Sequence, residues 1–349
     1  MSVSRSLAVV LLLVVCGYGC GSPTSPSDES AQTFYVATTG DDQNAGTMAG
    51  PWRTLRHAVG QLHAGDTLYV RGGTYRGMEN IIDSQTSTVR SGTSWSSAIT
   101  IAAYPSETVT IRAPSELNAI RLTTGAPQYL IFQDLILDGI NQTNNASRAG
   151  GIYLDSGANH NRFQRIEIRN SGIGFSNNNG NSPFNEVLDC KIHDNGFLGG
   201  PITDGHGLYI STSDNLIDGN EIYNNQGYGL HLYHFEGPRV VSRNIVRNNR
   251  IYDNGRHGGT AYGIVVAWGD GNLIYNNMIY GNPGGIQVHV QSSHAIVSNN
   301  AIYNNTPSEG IVIQYATGTV VKDNIVYGNG TDILDLGTET VLSNNRNCP

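Results

Sequence analysis

The stretch DGHGLYISTSDNLIDGNEIYNNQGYGLHLYH, residues 204–234, contains one pattern twice. In the first copy Gly207 precedes the alternating segment Leu208-Tyr209-Ile210, and in the second Gly229 precedes Leu230-His231-Leu232. Alternation of apolar and polar residues predicts a short β-strand that buries one face and exposes the other. The repeat raises the question of whether its histidines belong to the structural pattern or to a site built on it.

The pattern recurs along most of the chain. Equivalent glycines stand at positions 151, 207, 229, 263, 285 and 310. A column of asparagines follows at positions 220, 249, 277, 300 and 324, with steps of 29, 28, 23 and 24 residues. A unit of this kind cannot bury its apolar face alone, whereas coils stacked at about 4.8 Å bury it continuously. The sequence therefore predicts an all-β fold, a parallel β-helix.

The asparagine column is interpreted as structural. Buried amides are costly unless they are bonded, and stacked asparagines can bond to each other and to the backbone of the next coil. Cys190 falls in this column, so we expect a buried thiol. Cys348 lies about six coils, roughly 30 Å, further along, and no disulfide between the two is expected.

The first residues are typical of an export signal. Arg5 precedes an apolar run, Leu7 to Cys16, that has the length of a signal-peptide core and is too short to span a bilayer. Gly19-Cys20-Gly21 resembles a bacterial lipoprotein cleavage box with Cys20 as the lipidated residue. The expected organisation is a signal peptide at 1–19, a Ser/Pro-rich tether at 20–32 and one β-helix domain at 33–349.

This organisation predicts a cell-envelope lipoprotein or a secreted protein that meets the membrane only through an N-terminal lipid. The net charge of −8 argues against nucleic acid as a partner, because such binding rests on a basic face. An acidic substrate would need a local basic patch or a bound cation. We expect a monomer.

The start of the domain differs from the coils. Between residues 34 and 75 a strand and a Gly/Asp loop precede Trp52, Leu55, Val59 and Leu62, which lie near helical spacing. A short helix at this point would cover the open end of the coil stack.

The opening YVATTGDD…GPWRTLRHAV…AGDTLYVRGGTY and the GIYL and IYNN coils resemble the right-handed parallel β-helix repeat proteins of the pectate-lyase-like superfamily. The resemblance covers nearly the whole mature chain and implies a right-handed solenoid. It does not select an activity, because the superfamily includes polysaccharide lyases, glycoside hydrolases, epimerases and members without known catalysis.

Long turns predict where a ligand would bind. Insertions at 194–206, 233–243 and 253–262 would wall a groove bounded by residues 194–206 and 233–262. The outward positions of the strands are Tyr153, Asp155, Tyr209, Ser211, His231, Tyr233, Gln287 and His289. Adjoining turns add His206, His234, His257, Tyr262 and Trp268. Tyrosines, histidines and a tryptophan beside long loops suit a sugar-binding cleft.

Arginines form a second cluster in this acidic protein. Arg247 and Arg250 share columns with Asp218 and Glu221, so ion pairs between coils are expected for them. Arg239, Arg243 and Arg256 lie on turns and have no such partner in the pattern. Because guanidinium binds carboxylates in a two-pronged geometry, these three are candidates for holding a uronate or a sulfate.

Eliminative cleavage of a uronate polymer needs neutralisation of the C6 carboxylate, a base for the C5 proton and a donor to the leaving oxygen. The resemblance implies calcium or a basic residue for the first function and Lys or Arg for the second. Lys191 shares a column with charged residues and fits a charge ladder better than a base. The candidate catalytic residues are therefore His231, His206, Arg239 and Arg256. The arginines are of the residue type that the resemblance implies for the base, and a histidine can act as a base because it titrates near neutral pH.

Calcium is the one cofactor that the sequence leaves open, with Asp204, Asp214 and Asp218 as the nearest candidate ligands. The GHG motif around His206 resembles the histidine motif of polygalacturonase-type glycoside hydrolases, but the companion Asp-Asp, Asn-Thr-Asp and Arg-Ile-Lys motifs are missing. The glycines and apolar residues thus belong to the repeat, and His206 and His231 are additions to it. We predict an acidic-polysaccharide lyase, with a glycoside hydrolase and a non-catalytic scaffold as alternatives.

Overall fold

Short alternating segments form β-strands that stack coil on coil into three parallel sheets. The computed structural model describes residues 30–139, 149–178, 181–196, 205–234, 241–256 and 261–348. Residues Ala31–Pro349 form one compact unit. Each complete coil contributes one strand to sheet A, then one to sheet B, then one to sheet C, and sheet A has one further strand at either end of the stack. Every pairing between these strands is parallel and joins a strand to its counterpart in the next coil. The prediction of a parallel β-helix is confirmed.

The strands are short, most of them three to five residues. Sheet A contains β1 (Thr33–Val36), β2 (Thr67–Val70), β5 (Ile99–Ala103), β8 (Leu130–Gln133), β11 (Arg162–Gln164), β14 (Glu186–Leu188), β17 (Leu216–Asp218), β20 (Ile245–Arg247), β23 (Leu273–Tyr275), β26 (Ile296–Ser298), β29 (Val320–Lys322) and β32 (Val341–Ser343). Sheet B contains β3 (Gly73–Arg76), β6 (Val109–Arg112), β9 (Ile136–Asp138), β12 (Glu167–Arg169), β15 (Lys191–His193), β18 (Glu221–Tyr223), β21 (Arg250–Tyr252), β24 (Met278–Tyr280), β27 (Ala301–Tyr303) and β30 (Ile325–Tyr327). Sheet C contains β4 (Ile82–Asp83), β7 (Asn118–Leu122), β10 (Gly150–Leu154), β13 (Ile173–Asn177), β16 (Leu208–Ile210), β19 (Leu230–Leu232), β22 (Tyr262–Ala267), β25 (Gly284–His289), β28 (Glu309–Thr317) and β31 (Thr331–Thr338).

The single α-helix of the described residues, α1 (Leu55–Gln61), lies where the helical spacing predicts it. The Thr54 hydroxyl caps its first turn by accepting from the His57 backbone N–H. Its buried residues Leu55, Ala58 and Val59 pack on β1 and β4, the first strands of sheets A and C. The helix thus covers the N-terminal edge of the coil stack.

Inward-facing side chains of successive coils form one continuous core. On sheet C, Phe175 is in register with Leu208, Leu208 with Leu230, and Leu230 with Ile264, and all four are fully buried. Since each coil buries its apolar face only against its neighbours, register is strongly specified.

The asparagine column is a hydrogen-bonded ladder, as predicted. Asn220 donates from Nδ2 to Oδ1 of Asn249 at 2.9 Å, and Asn249 donates to Asn277 at 3.0 Å. Two further ladders occupy the other corners of the coil and were not expected from the sequence. One comprises Asn161, Asn185, Asn215, Asn244 and Asn272, and the other Asn195, Asn225, Asn254, Asn282, Asn305 and Asn329.

Cys190 continues the predicted column, because its backbone N–H donates to Asn220 Oδ1 at 2.9 Å. Its thiol is fully buried, and burial raises the thiol pKa to about 12. Cys348 is exposed, and both cysteines are free thiols. The expectation that they do not pair is therefore correct.

Outward positions of sheet B carry a ring stack and charged pairs. The rings of His193, Tyr223, Tyr252, Tyr280, Tyr303 and Tyr327 stack coil by coil, with centroids 4.6 to 5.3 Å apart. The predicted ion pairs are present: Arg247 lies 2.7 Å from Asp218 on sheet A, and Arg250 lies 3.4 Å from Glu221 on sheet B.

Among the described residues, no helix has the length and apolar character needed to cross a membrane.

Candidate functional site

The outward face of sheet C carries a row of aromatic and polar side chains. In register across the coils stand Tyr209 on β16, His231 on β19, Val265 on β22, Gln287 on β25 and Val312 on β28. In the next outward row Ala267 is in register with His289, and His289 with Gln314. The structure therefore places Tyr209, His231 and His289 on one surface.

Strand β22 opens a depression in this surface. Its outward residues Val265 and Ala267 are short, whereas the coils on either side present His231, Gln287 and His289. The depression has a volume of about 500 Å³. We call it the β22 depression, and the described residues that line it are Tyr228, His231, Tyr233, Tyr262, Val265, Ala267, Gln287, His289 and Gln314.

Four rings surround His231. Its centroid lies 4.8 Å from Tyr233, 4.9 Å from Tyr228, 5.0 Å from His206 and 5.3 Å from Tyr209. The Tyr233 ring stacks on the imidazole at an interplanar angle of 19°. We call these five residues the aromatic cluster; it borders the β22 depression through Tyr228, His231 and Tyr233.

The electrostatics of the aromatic cluster favour neutral forms. Burial, with a smaller contribution from the charge of His206, holds the pKa of His231 well below its usual range. Burial also raises the pKa of the Tyr228 hydroxyl, which keeps its proton. The His231 Nδ1 atom is buried and has no hydrogen-bond partner among the described residues. Since buried polar atoms are nearly always bonded in native proteins, this nitrogen calls for a further partner.

The depressed pKa of His231 predicts a pH-dependent loss of stability. An unfolded histidine takes up a proton near pH 6.5, whereas folded His231 stays neutral, so the unfolded state binds more protons as the pH falls below that value. Between pH 6.5 and the lower folded-state pKa, the free energy of unfolding should fall by about 1.4 kcal/mol per pH unit from this group. Urea unfolding at pH 7.5 and 5.5 should show a loss about 1.4 kcal/mol larger in the wild type than in His231→Gln. Equal losses would contradict the assignment of an imidazole that stays neutral in the folded state.

Two of the three turn arginines are already paired, so the expectation that they lack partners is wrong. Arg243 binds Asp214 with two bonds, Nε to Oδ1 at 2.7 Å and Nη2 to Oδ2 at 2.6 Å. Arg256 lies 3.1 Å from Asp194, two coils away in the stack. A paired guanidinium is a poor carboxylate ligand, and neither arginine lines the β22 depression. Arg243 as a substrate contact and Arg256 as a base are therefore not supported by the geometry.

The predicted calcium ligands that the structure describes do not fit a metal ion. Asp214 uses both oxygens for Arg243, and Asp218 accepts from Arg247 at 2.8 Å and from Asn248 at 2.8 Å. Asp218 ends β17 of sheet A, on a different sheet from the aromatic cluster. Hard cations need several free oxygen ligands at one point. In the described part of the chain, no group of three acidic, cysteine or histidine side chains could hold a metal.

The remaining predicted residues fall into four groups. Tyr262 lines the depression and donates to Glu309 Oε2 at 2.6 Å, and Trp268 packs beside it against the apolar cluster of Val265, Ala267 and Val312. His234 is half-buried just beyond β19. Asp155 and Ser211 were expected to be exposed but are buried. Four predicted residues lie outside the described residues: Cys20, Asp204, Arg239 and His257. The same holds for most of the long turns that were predicted to wall the groove, at 197–204, 235–240 and 257–260.

Some lining residues were not among the predicted site residues. Tyr228 precedes Gly229 as His206 precedes Gly207, so the column alignment contained the signal for it. Val265 and Gln314 gave no signal of their own, because valine and glutamine at outward strand positions are unremarkable in sequence. Their importance comes from the residues beside them in neighbouring coils.

The surface can be compared with known proteins. Pectate lyase PEL9 of Emericella nidulans is 29% identical over 257 residues, which cover 69% of this chain and 58% of that protein. The uncharacterized protein YwoF of Bacillus subtilis is 27% identical over 332 residues, which cover 86% of this chain and 68% of that protein. The chain therefore spans little more than half of the length of PEL9.

Solved structures share the fold. An alginate lyase from Paenibacillus sp. str. FPU-7 superposes with a TM-score of 0.64 at 18% identity, over 91% of this chain and 99% of that one. Pectate lyase Pel9A superposes with a TM-score of 0.60 at 18% identity, over 88% of this chain and 78% of that one. Residues 34–332 match the family model described as the Pel9A-like, right-handed beta helix region. This chain belongs to the Pel9A-like right-handed β-helix family.

Proposed function

We propose that this chain binds a uronate-containing polysaccharide across sheet C and cleaves it by β-elimination, with His231 as the base. One observation carries the proposal: a neutral, half-buried imidazole stands among three tyrosines at the border of an open depression. The relatives named as pectate lyase and alginate lyase support a polysaccharide as the substrate. The polymers in these two names, pectate and alginate, are both acidic, which supports an acidic substrate.

The reaction removes the C5 proton of a uronate, forms the C4–C5 double bond and breaks the bond from C4 to the glycosidic oxygen. A neutral imidazole can accept the C5 proton, and the depressed pKa of His231 keeps it neutral at and below neutral pH. The leaving oxygen needs a proton. We assign that donation to Tyr228, whose hydroxyl is held protonated by burial and whose ring lies 4.9 Å from that of His231.

We assign neutralisation of the C6 carboxylate to Arg239, which lies outside the described residues. We prefer it to calcium because Asp214 and Asp218 are engaged with arginines and amides. The paired arginines Arg243 and Arg256 are less suitable for the same reason. Arg239 therefore stays the one predicted cation for the substrate.

Hydrolysis is a weaker candidate. It normally uses two carboxylates flanking the scissile bond. The described residues that line the β22 depression include no aspartate or glutamate, and Glu309 at its edge is bonded to Tyr262. Elimination needs no such pair, so the lining favours a lyase.

The proposal includes export by the signal peptide at 1–19 and a lipid on Cys20.

The test is to incubate the full chain with pectate, alginate and glycosaminoglycans, with and without calcium, and to follow the ultraviolet absorbance of the unsaturated product. We expect absorbance to rise with at least one uronate polymer. Binding without any rise on the whole panel would contradict catalysis and favour a scaffold. Reducing ends released without an unsaturated product would instead indicate hydrolysis.

A further inference from the structure

We propose that the β22 depression seats an acetamido group, so that the polymer alternates uronate with an N-acetylhexosamine. The uronate half of this statement rests on the proposed function. The acetamido half rests on the lining of the depression, which combines an apolar floor with amide walls.

The floor of the depression is apolar. Val265 and Ala267 occupy outward strand positions yet are only 3% and 2% exposed, because taller side chains surround them. Tyr262 and Val312 belong to the same buried cluster. An acetyl methyl placed over this floor would contact apolar side chains, where a sugar hydroxyl would find no hydrogen-bond partner.

Two glutamine side chains line the sides of the β22 depression. Gln287 is in register between Val265 and Val312, and Gln314 is in register with His289 in the next outward row. Each glutamine has two N–H donors and a carbonyl acceptor, and neither side chain is hydrogen-bonded to another described residue. An acetamido group presents one N–H and one C=O beside a methyl group. The row of Val265, Gln287 and Val312 therefore offers an amide beside apolar side chains, the two polarities that an acetamido group combines.

Charge argues against a carboxylate in this position. None of the described residues that line the depression is an arginine or a lysine, and His231 is held neutral by burial. Among the described lining residues, a carboxylate seated here would find no cation to offset its lost hydration. A polymer with uronate at every position would place one there, since Val265 lies one coil, about 4.8 Å, from His231. An alternating polymer places a neutral sugar there instead.

The test measures binding of hyaluronan hexasaccharide to the full chain by titration calorimetry, in its N-acetylated and N-deacetylated forms, beside pectate and alginate hexasaccharides. We expect the acetylated form to bind at least about tenfold more tightly than each of the others. Gln287→Leu should weaken its binding about tenfold. The matched control is Gln164→Leu, at an outward position of β11 in sheet A, which should leave binding unchanged.

The outcomes separate this inference from the proposed function. Equal affinity for acetylated and deacetylated oligosaccharides, or no effect of Gln287→Leu, would overturn the acetamido site. Unsaturated product from pectate or alginate, with no binding of the acetylated oligosaccharide, would keep the lyase and remove this inference. Tight, Gln287-dependent binding without any unsaturated product would keep the acetamido site and remove the lyase.

Discussion

His231→Gln is expected to lower the rate of unsaturated-product formation by about 10²- to 10⁴-fold, the usual contribution of a general base. Glutamine keeps a polar side chain of similar length but cannot accept the C5 proton. Because the imidazole only borders the core, the free energy of unfolding at pH 7.5 should change by less than about 2 kcal/mol. Initial rates from ultraviolet absorbance, beside urea unfolding curves, check both parts.

The chain offers a matched control in His193→Gln. His193 also faces outward and stacks on a tyrosine, with its ring 4.6 Å from that of Tyr223, but it lies on sheet B. This variant should retain full activity. A comparable rate loss in both variants, or a large loss of stability in His231→Gln alone, would mean that His231 supports the fold and does not carry the chemistry.

The largest effect on stability is expected from Asn249→Ala, in the middle of the predicted ladder. The Asn249 side chain donates to Ile217 O and to Asn277 Oδ1, both at 3.0 Å, and accepts from the backbone and the side chain of Asn220, both at 2.9 Å. Alanine would leave buried donors and acceptors without partners. The expected cost is about 3–5 kcal/mol in the free energy of unfolding, measured with urea at pH 7.5.

Asn347→Ala is the control for that measurement, because Asn347 is exposed. It should change the free energy of unfolding by less than about 0.5 kcal/mol. A small effect of Asn249→Ala, matching that of the control, would show that water or a shifted neighbour replaces the ladder bonds and that the amides add little to the stack.

The fold could be predicted from the sequence because its determinants are local and periodic. Alternation at Leu208-Tyr209-Ile210 specifies which face is buried, and the 23- to 29-residue steps of the asparagine column set the coil length. The same steps predict that Asp218 and Arg247 meet. They also bring Asp214 to Arg243, 29 residues apart, a pair that the column alignment contained but that was not inferred.

The β22 depression could not be predicted in the same way. Val265 is an ordinary strand residue until the register places it between His231 and Gln287. A hollow in a surface depends on differences in side-chain size between neighbouring coils, and no single repeat contains that comparison. The pairing of Arg256 with Asp194 was missed because it spans two coils and because Arg256 lies three residues beyond Asp253, the counterpart of Asp194.

A crystal structure of the full-length His231→Gln variant with a uronate oligosaccharide bound tests the central claim most directly. We predict a sugar chain on the outward face of sheet C, with one sugar residue against Tyr228 and Tyr233 and the next sugar residue over Val265. A chain bound instead along the tyrosine stack of sheet B, or along sheet A, with the β22 depression empty, would contradict it.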